Sequence, residues 1–509
     1  MKLRTKVSRR IIPATMASQH PDHASSPYWL DQPLIETHHE TEECFRVFSE
    51  IGIDEYKWDW EGKLVDESVI EKLLHRYYRF FKKNPLGVKK FLTFRLPNPK
   101  VETEFRIGRT FMGILTAASL AKHVGFKITP IFEVILPMTE SAKEMIDIQQ
   151  AFREIANLKH PLYRLEAGII KHIKIIPLFE QVKTIIRSDK ILKTYIDLHK
   201  KNFGYYPPYL RPYLARSDPA LNSGLVPTVI AIKIALSRYL GFEKQTGIAL
   251  YPIIGSAALP FRGGLTPENV LNFANEYKGI KTALIQSAFR YDFSKNEVIR
   301  AIKKLERRLT VDQAHFIDKP SENKLIKVIS FFESDYRNTV ELIAGTVNKI
   351  ASQLPKRRER VQHIGLFGYS RGVGKVRLPR AIGFTAVLYS LGIPPELIGT
   401  GRGLEKVKKI GTIDLIEKSY LNLKNDLLRA GRYLNKKNLA KLADKNRGYR
   451  SILEDVAAIE DYLGKRLEPV TLEERQHGLL SEQLLQYFES GRPLTEIISR
   501  MAVLRKSLG

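Results

Sequence analysis

Cysteine is nearly absent from this 509-residue sequence, in which Cys44 is the one example. A single cysteine excludes an intrachain disulfide framework and a cysteine-ligated zinc cluster, and it is typical of a reducing compartment. No uninterrupted apolar run reaches the ~18 residues that a membrane span requires, because Lys233 breaks one candidate and glycines and prolines break another. The composition therefore predicts a soluble, cytoplasmic protein with no membrane partner.

Several binding motifs are also missing. No G-x-G-x-x-G turn follows the first predicted strand, which argues against an open doubly wound sheet, and there is no Walker sequence. No RRM, KH or zinc-finger pattern accompanies the basic clusters. The net charge of +27 is therefore compatible with nucleic-acid binding or with small anionic substrates, and charge alone does not choose between them. We interpret most of the lysines as solvated surface.

Short apolar runs rich in β-branched and aromatic residues alternate with longer segments of helical period. This pattern is typical of parallel βα units, and eight such units predict an α/β protein with a (β/α)8 TIM barrel. The eight predicted strands are 53–60, 89–97, 127–137, 173–180, 209–218, 247–256, 281–289 and 363–371.

The chain divides into three predicted regions. Residues 1–52 form an amino-terminal segment, residues 53–403 the barrel, with a helical insertion at about 295–355 before the eighth strand, and residues 404–509 a helical extension. The first eighteen residues are basic and lack acids, yet the motif-bearing segment follows at once, so we interpret them as part of the mature protein.

Charged residues stand where several of these strands end. In such a barrel the carboxyl ends of the strands form one rim that carries catalytic groups. Glu180 and Asp218 suit Mg²⁺, which prefers one or two carboxylates and leaves its other positions to water and substrate oxygens. In the alternative, each acid pairs with an arginine such as Arg216, and spacing alone leaves Glu133 and Glu140 as substitute ligands.

Arginines indicate an anionic substrate. Arg262 precedes two glycines, and Arg371 and Arg380 flank a glycine-rich turn before a helix, where backbone amides can approach an anion. Guanidinium groups bind phosphate and carboxylate bidentately. Arg290 follows predicted strand seven and could instead pair with Asp292.

The motifs "TMASQHPD", "FRLPNP", "PMTES", "PLFE", "ARSDPALNSG", "PFRGG", "QSAFRYDF" and "GYSRGVGKVRLPRAIGFTAVLYSLGIPPELIGTG" occur in this order. Together they resemble the short, archaeal-type phosphoenolpyruvate carboxylase from residue 15 to about 403. The resemblance implies a (β/α)8 barrel, a homotetramer, and carboxylation of phosphoenolpyruvate by bicarbonate with Mg²⁺ or Mn²⁺ as cofactor.

The resemblance also implies roles for individual residues. It maps metal ligands onto Glu180 and Asp218, an essential histidine onto His20, and phosphate-binding arginines onto three positions, Arg95, Arg371 and Arg380. We add Arg216 and Arg290 as candidate substrate-binding residues. Arg262 matches one of two arginines in a longer family loop, and by its spacing from Gly255 the one linked to carboxylation.

The implied reaction passes through carboxyphosphate and a metal-stabilised enolate of pyruvate. His20, with an ordinary pKa of ~6.5, would assist the loss of the carboxyl proton from carboxyphosphate. Arg262 would hold CO₂ and phosphate beside the enolate. His23 stands where the short family leads us to expect asparagine.

Because the QHPD segment precedes the first predicted strand, we expect it to cross the rim as a lid. His20 could otherwise be a turn residue beside Pro21. Two other functions remain as alternatives: another metal-dependent oxoacid or phosphoenolpyruvate lyase built on a barrel, and a basic nucleic-acid-binding protein.

Overall fold

The computed structural model describes the chain apart from residues 1–10, 62, 64, 103–104, 127–128, 159–169 and 360–375. Eight parallel strands close into a barrel in the order β1-β10-β9-β7-β5-β4-β3-β2, and β6 and β8 form a separate two-stranded sheet. The strands are β1 Thr15–Ser18, β2 Glu55–Asp59, β3 Phe91–Arg95, β4 Glu133–Leu136, β5 Lys174–Phe179, β6 Tyr209–Leu210, β7 Tyr213–Leu214, β8 Ala249–Leu250, β9 Ile253–Ile254 and β10 Thr282–Ile285. The predicted TIM barrel is therefore confirmed.

Helices lie between and after the strands in the described parts of the chain. They are α1 Glu40–Arg46, α2 Val69–Arg76, α3 Tyr78–Lys83, α4 Arg106–His123, α5 Ala142–Ala156, α6 Val182–Ile186, α7 Ser188–Phe203, α8 Ser217–Ser223, α9 Leu225–Thr246, α10 Val270–Glu276, α11 Ser287–Tyr291, α12 Lys295–Leu309, α13 Lys319–Ala351, α14 Ala381–Ser390, α15 Thr400–Lys409, α16 Ile413–Ser419, α17 Leu423–Gly431, α18 Lys436–Lys445, α19 Arg447–Leu463, α20 Leu472–Glu489 and α21 Thr495–Leu504. Short 3₁₀ or π turns occupy Thr37–His39, Val47–Ile51, Pro260–Arg262 and Pro395–Leu397.

The strand that closes the barrel is the main correction to the predicted fold. Thr15–Ser18 pairs with β10 on one side, Thr15 opposite Ala283, and with β2 on the other, Ser18 opposite Lys57. The QHPD segment therefore continues from the first barrel strand, and the expectation of a lid crossing from outside the barrel was wrong. Predicted strand eight, 363–371, lies outside the described residues.

The position of the predicted helical insertion also changes. Its two helical patterns are present as α12 and α13, but they follow β10, which is the last barrel strand along the described chain. They therefore come after the eighth strand and not before it. The boundaries proposed at residues 52 and 403 stay a prediction, with the barrel itself beginning at Thr15.

Two predicted strands, 209–218 and 247–256, are each divided in two. Pro212 stands just before β7 and Pro252 just before β9, and proline has no N–H to donate to a strand ladder. The residues ahead of each proline pair with one another instead, Tyr209 opposite Ala249. The short halves after the prolines enter the barrel.

The alternation of side chains along the strands separates two apolar regions. One lies inside the barrel and consists of Met16, Ile135, Ile176, Leu178, Tyr213, Ala215, Ile253 and Leu284. The other lies between the barrel and its helices and includes Tyr56, Trp58 and Phe94. On β2 the aromatic residues therefore face the helices, and the alternate charged residues Glu55, Lys57 and Asp59 face the barrel axis.

Within the described residues, α9 alone is long and apolar enough to cross a membrane, although 83% of its most apolar window is buried inside the protein. A second candidate arises only if Ala381–Ser390 and Pro395–Lys409, bent by 98°, are taken as one span. Helix α9 is therefore apolar enough for a span in spite of Lys233. Its burial inside the protein identifies α9 as a core helix.

Candidate active site

Two acids and an arginine form the best-defined part of the barrel mouth. Arg95, the last residue of β3, donates from Nε to Asp59 Oδ1 at 2.7 Å and from Nη2 to Asp59 Oδ2 at 2.6 Å. Its Nη1 contacts Glu61 Oε2. Each of the three side chains is at most 6% exposed. Arg95 is therefore fixed at the carboxyl end of the strands, where the sequence predicted it.

His20 lies two residues beyond β1 at the same rim. Its Nδ1 is 2.8 Å from Ser18 Oγ, and its backbone carbonyl accepts a hydrogen bond from Ser287 Oγ. Burial, with the positive charges of Lys57 and Arg95, holds the pKa of His20 well below its usual range. The imidazole is therefore neutral near pH 7, whereas the sequence led us to expect an ordinary pKa.

The predicted metal-binding carboxylates follow neighbouring strands of the barrel, β5 and β7. Glu180 follows β5 directly, and its Oε2 accepts a hydrogen bond from Met138 N at 2.6 Å. Met138 has a positive φ of 50°, which is uncommon for a residue other than glycine. Asp218 lies in the first turn of α8. The structure thus places both acids at the rim.

Tyr213 connects these acids electrostatically. Burial raises the pKa of the Tyr213 hydroxyl, and the negative charges of Glu180, Asp59 and Asp218 raise it further, against the opposing effect of Arg95. The three carboxylates therefore lie within electrostatic reach of one buried hydroxyl. No group of three or more His, Cys, Asp or Glu able to hold a metal occurs among the described residues, so a cation here would depend on two carboxylates.

Neither substitute metal ligand, Glu133 or Glu140, suits the site as well as Glu180 and Asp218 do. Glu133 stands at the amino end of β4, where its Oε2 accepts from Arg211 Nη1 at 3.0 Å, so it belongs to the opposite end of the barrel. Glu140 is at the rim but half-exposed, paired with Lys100 Nζ at 2.7 Å and accepting from Gln181 Nε2 at 3.0 Å.

Arg262 is fully buried in the turn that follows β9. Its Nη2 donates to Gln286 Oε1 at 2.7 Å and its Nε to Ser217 Oγ at 3.1 Å, while its Nη1 contacts the carbonyl of Gly509 and lies 3.6 Å from Asp22 Oδ2. Burial lowers the pKa of Arg262, and the charges of Asp22 and Asp218 oppose that shift. The chain after α21 thus brings Gly509 to the mouth. The sequence did not predict the contact between Gly509 and Arg262.

Arg216 does not use its donors as we expected. It donates from Nη1 to Phe261 O at 3.0 Å, from Nη2 to Pro260 O at 3.2 Å and from Nε to Tyr277 Oη at 3.1 Å. Its guanidinium therefore holds the turn that carries Arg262. These contacts favour a supporting role over substrate contact, and they differ from the alternative in which Arg216 pairs with Glu180 or Asp218.

Arg290 is likewise turned into the protein. Its Nη2 donates to Ser18 O at 2.7 Å and to Glu43 Oε1 at 3.1 Å. The alternative pairing with Asp292 was wrong, because Asp292 instead accepts from the amides of Ala24 and Ser25. Arg290 therefore supports the segment that carries His20.

Two predicted phosphate-binding arginines remain, Arg380 and Arg371. Arg380 is the residue before α14 and lies within electrostatic reach of Glu61. Burial raises the pKa of Glu61, and the positive charges of Arg95 and Arg380 oppose that rise. Arg380 also acts electrostatically on Arg262. Arg371 lies outside the described residues.

Three residues of the mouth were missed by the sequence reasoning, namely Lys57, Asp59 and Glu61. A signal was present, because charged residues alternate with aromatic ones throughout "EYKWDWE". On a barrel strand such alternation directs every charge to the axis. In the sequence this run predicts a strand, and its charged face is assigned no role.

The chain matches the family model described as phosphoenolpyruvate carboxylase over residues 12–509. Among curated relatives with that name, the Leuconostoc mesenteroides protein is 37% identical over 99% of this chain and 100% of its own length. The Metallosphaera sedula protein is 36% identical over 98% of this chain and 100% of its own, and the Pyrococcus abyssi protein 38% over 87% and 94%. The chain therefore belongs to the phosphoenolpyruvate carboxylase family.

Proposed function

We propose that this protein carboxylates phosphoenolpyruvate with bicarbonate and releases oxaloacetate and phosphate. The observation that carries the proposal is the gathering of His20, Arg95, Glu180 and Arg262 at one barrel rim. The pKa of His20 is lowered by burial and by charges that include Arg95 and Arg262, so these groups lie within electrostatic reach of one another. Family membership independently supports the same reaction.

Glu180 and Asp218 are the residues that we propose to hold Mg²⁺ or Mn²⁺. Two carboxylates that both act electrostatically on Tyr213 fit a hard divalent cation that takes its other ligands from water and substrate. When bound there, the cation would supply positive charge for the enolate oxygen of pyruvate. The hydrogen bond from Met138 N fixes one oxygen of Glu180 and so orients the carboxylate.

Arg95 and Arg380, with Arg371, would bind the phosphate and carboxylate of phosphoenolpyruvate. Because Asp59 and Glu61 already engage all three nitrogens of the Arg95 guanidinium, Arg95 would act on the substrate mainly through its charge. Arg262 would hold phosphate and CO₂ beside the enolate. We place Arg216 and Arg290 behind these residues, as supports.

The proposed reaction consists of a phosphoryl transfer, a proton transfer and the attack of the enolate on CO₂. A bicarbonate oxygen attacks phosphorus, and the P–O bond to the enolate breaks to give carboxyphosphate. The carboxyl proton of carboxyphosphate then passes to a base as its C–O bond breaks, giving CO₂ and phosphate, and the enolate carbon attacks CO₂. In the tautomer whose Nδ1 donates to Ser18 Oγ, neutral His20 would keep the lone pair of Nε2 for that proton.

We also propose that the protein is cytoplasmic and forms a homotetramer. The helical extension supports assembly, since Val470, Leu472 and Leu479 around α20 are 60–67% exposed. Sedimentation analysis of the purified protein tests this proposal, and a monomer at micromolar concentration would reject it.

The decisive experiment couples the reaction to malate dehydrogenase. Purified protein with phosphoenolpyruvate, bicarbonate and Mg²⁺ or Mn²⁺ is expected to oxidise NADH as oxaloacetate forms. Omission of bicarbonate, under CO₂-free conditions, should abolish the signal. If no oxaloacetate forms with either metal across pH and temperature, the proposed function is rejected.

A further inference from the structure

Lys57 occupies a central place in the barrel interior. It lies on β2, opposite Ser18 of β1 and Thr93 of β3, and therefore between the strands that lead to His20 and to Arg95. The residue is fully buried. Its side chain projects from the same face as Asp59, the residue two positions further towards the rim.

The ammonium of Lys57 has no hydrogen-bond partner among the described residues. The contact with an anion that we find is with Asp59, whose Oδ2 is 3.7 Å from Nζ. Both oxygens of Asp59 already accept short hydrogen bonds from Arg95. A buried ammonium is costly unless it is paired and hydrogen-bonded, so the ion pair as it stands leaves Lys57 poorly compensated.

The other buried lysines form a contrast. Lys63 contacts Glu40 and donates to Gln19 Oε1 at 3.2 Å, and Lys90 donates to Asp54 Oδ1 at 2.6 Å. Lys233 lies 2.9 Å from Glu276 Oε1 and also contacts the carbonyl of Glu276. Each of these ammonium groups bonds to the protein, as buried charges do when their role is structural. Lys57 differs from them in lacking such a bond.

The groups around Lys57 are those of the active site. Asp59, Glu61 and Glu180 act on it with negative charge and Arg95 with positive charge, and Lys57 in turn acts on His20. An ammonium in this position can reach an anion that is bound between these residues. Phosphoenolpyruvate, bicarbonate and carboxyphosphate all carry anionic oxygens, which accept charge-assisted hydrogen bonds.

From this geometry we propose that Lys57 is a further catalytic residue, whose ammonium donates a hydrogen bond to an anionic oxygen of the bound substrates. The inference deepens the proposed function and rests on it. Pairing with substrate would supply the partner that the protein itself does not give. Lys57 would thus act together with Arg95 on the neighbouring strand β3, but, unlike Arg95, Lys57 has its donors available.

The test compares Lys57→Met, which keeps the length of the side chain without its charge, with the control Lys233→Met. Since one preorganised donor is worth about 100-fold or more in rate, we expect kcat/KM of Lys57→Met to fall by that factor for phosphoenolpyruvate, for bicarbonate or for both. Its Tm should equal or exceed the wild-type value, because a poorly paired buried charge is removed. Lys233→Met should show the reverse, a lower Tm with kcat/KM retained.

Lys57→Gln provides a second variant, which keeps a donor but loses the charge and should fall between Lys57→Met and wild type in kcat/KM. Values of kcat/KM within about threefold of wild type for Lys57→Met would overturn the inference. So would a loss of Tm as large as that of Lys233→Met, or failure of both Lys57 variants to fold, since either shows a structural role. A wild-type protein that makes no oxaloacetate rejects the proposed function instead.

Discussion

The two ends of the barrel interior both carry buried charge, but they use it differently. At the amino end Arg211 donates from Nη1 and Nη2 to Glu55 at 2.8 and 2.7 Å and from Nη1 to Glu133 at 3.0 Å. At the carboxyl end Arg95 is paired as closely, yet Lys57 has only a 3.7 Å approach to Asp59. The paired layer closes the base of the barrel, and the mouth keeps a cation for which the protein supplies no hydrogen bond.

Strand β2 shows that this difference arises within five residues. Glu55 begins the strand and belongs to the paired layer, where it also accepts from Thr93 Oγ1 at 2.7 Å. Lys57 and Asp59 follow on the same face and belong to the mouth. Buried ions that are hydrogen-bonded to one another are typical of structure, whereas poorly compensated charges concentrate at functional sites. The predictions below test this division.

The largest expected effect is on catalysis at the mouth. His20→Asn removes the proposed base, so oxaloacetate formation should fall about 10²- to 10⁴-fold, the usual contribution of general base catalysis. The rise in Tm on adding phosphoenolpyruvate with Mg²⁺ should persist, because asparagine leaves the arginines and acids in place. The control His38→Asn changes a histidine that is 69% exposed and should be neutral. Unchanged oxaloacetate formation by His20→Asn would remove His20 from the mechanism.

The matching effect at the amino end is on stability. Arg211→Met leaves Glu55 and Glu133 buried without their cation, so the free energy of unfolding should fall by about 3–5 kcal/mol. Urea titration measures the loss, and the folded fraction should retain wild-type kcat. Arg46→Met, which breaks i,i+4 pairs with Glu42 and Glu50 nearer the surface, should cost ~1 kcal/mol or less. A variant as stable as wild type would show that the paired layer does not stabilise the fold.

A smaller effect is expected at the carboxylates of the rim. Asp218→Asn removes one charged oxygen ligand and should raise the Mg²⁺ concentration required for half-maximal activity at least about tenfold, ~1.4 kcal/mol. Asp197→Asn, at a position 56% exposed on α7, serves as control. An unaltered metal titration of Asp218→Asn would transfer the ligand assignment to Glu140, which is the other rim carboxylate that the sequence suggested.

A further effect, on the pH dependence of stability, is expected in the segment after His20. Burial, with the positive charge of Arg358, lowers the pKa of His23 to about 3, although its Nε2 donates to Pro33 O at 2.7 Å. Below pH ~6.5 the unfolded chain binds a proton at His23 that the folded chain does not, so stability falls as pH decreases towards 3.

His23→Asn cannot take up that proton. The loss of stability between pH 6 and 4 should therefore be less steep by about 1.4 kcal/mol per pH unit than in wild type, as measured by urea titration at each pH. His38→Asn again serves as control, since an exposed histidine should leave the slope unchanged. Parallel slopes for wild type and His23→Asn would show that His23 is not held neutral by the fold.

Much of the fold could be predicted because strands and helices have local sequence patterns. Seven of the eight predicted strand runs contain strands of the structure, and the described charged residues at their ends, such as Arg95 and Glu180, lie at one rim. Thr15–Ser18 was missed because "TMAS" has only four residues and no run of β-branched or aromatic side chains. It becomes a strand by pairing with β10 and β2, which are distant in sequence.

The candidate site was predicted in part for the same reason. Position at a predicted strand end indicated Arg95 and Glu180, the two glycines after it indicated Arg262, and the family resemblance indicated His20. All four lie at the mouth. The direction of a long side chain is not local information. Arg216 turns to the carbonyls of residues 260 and 261, and Arg290 to Glu43, because those acceptors are brought there by other parts of the chain.

The sequence by itself determined that this chain alternates strands and helices, and it indicated the acids, arginines and histidine that we propose as one anion-binding rim. Tertiary structure decided which segment closes the barrel and which charges obtain partners. Arg211 and its partner Glu55 are 156 residues apart, and Arg358 and Glu43 are 315 apart. Pairing over such separations depends on the closed barrel, and so does the exception, Lys57, whose ammonium the barrel buries without supplying a hydrogen bond from the described residues.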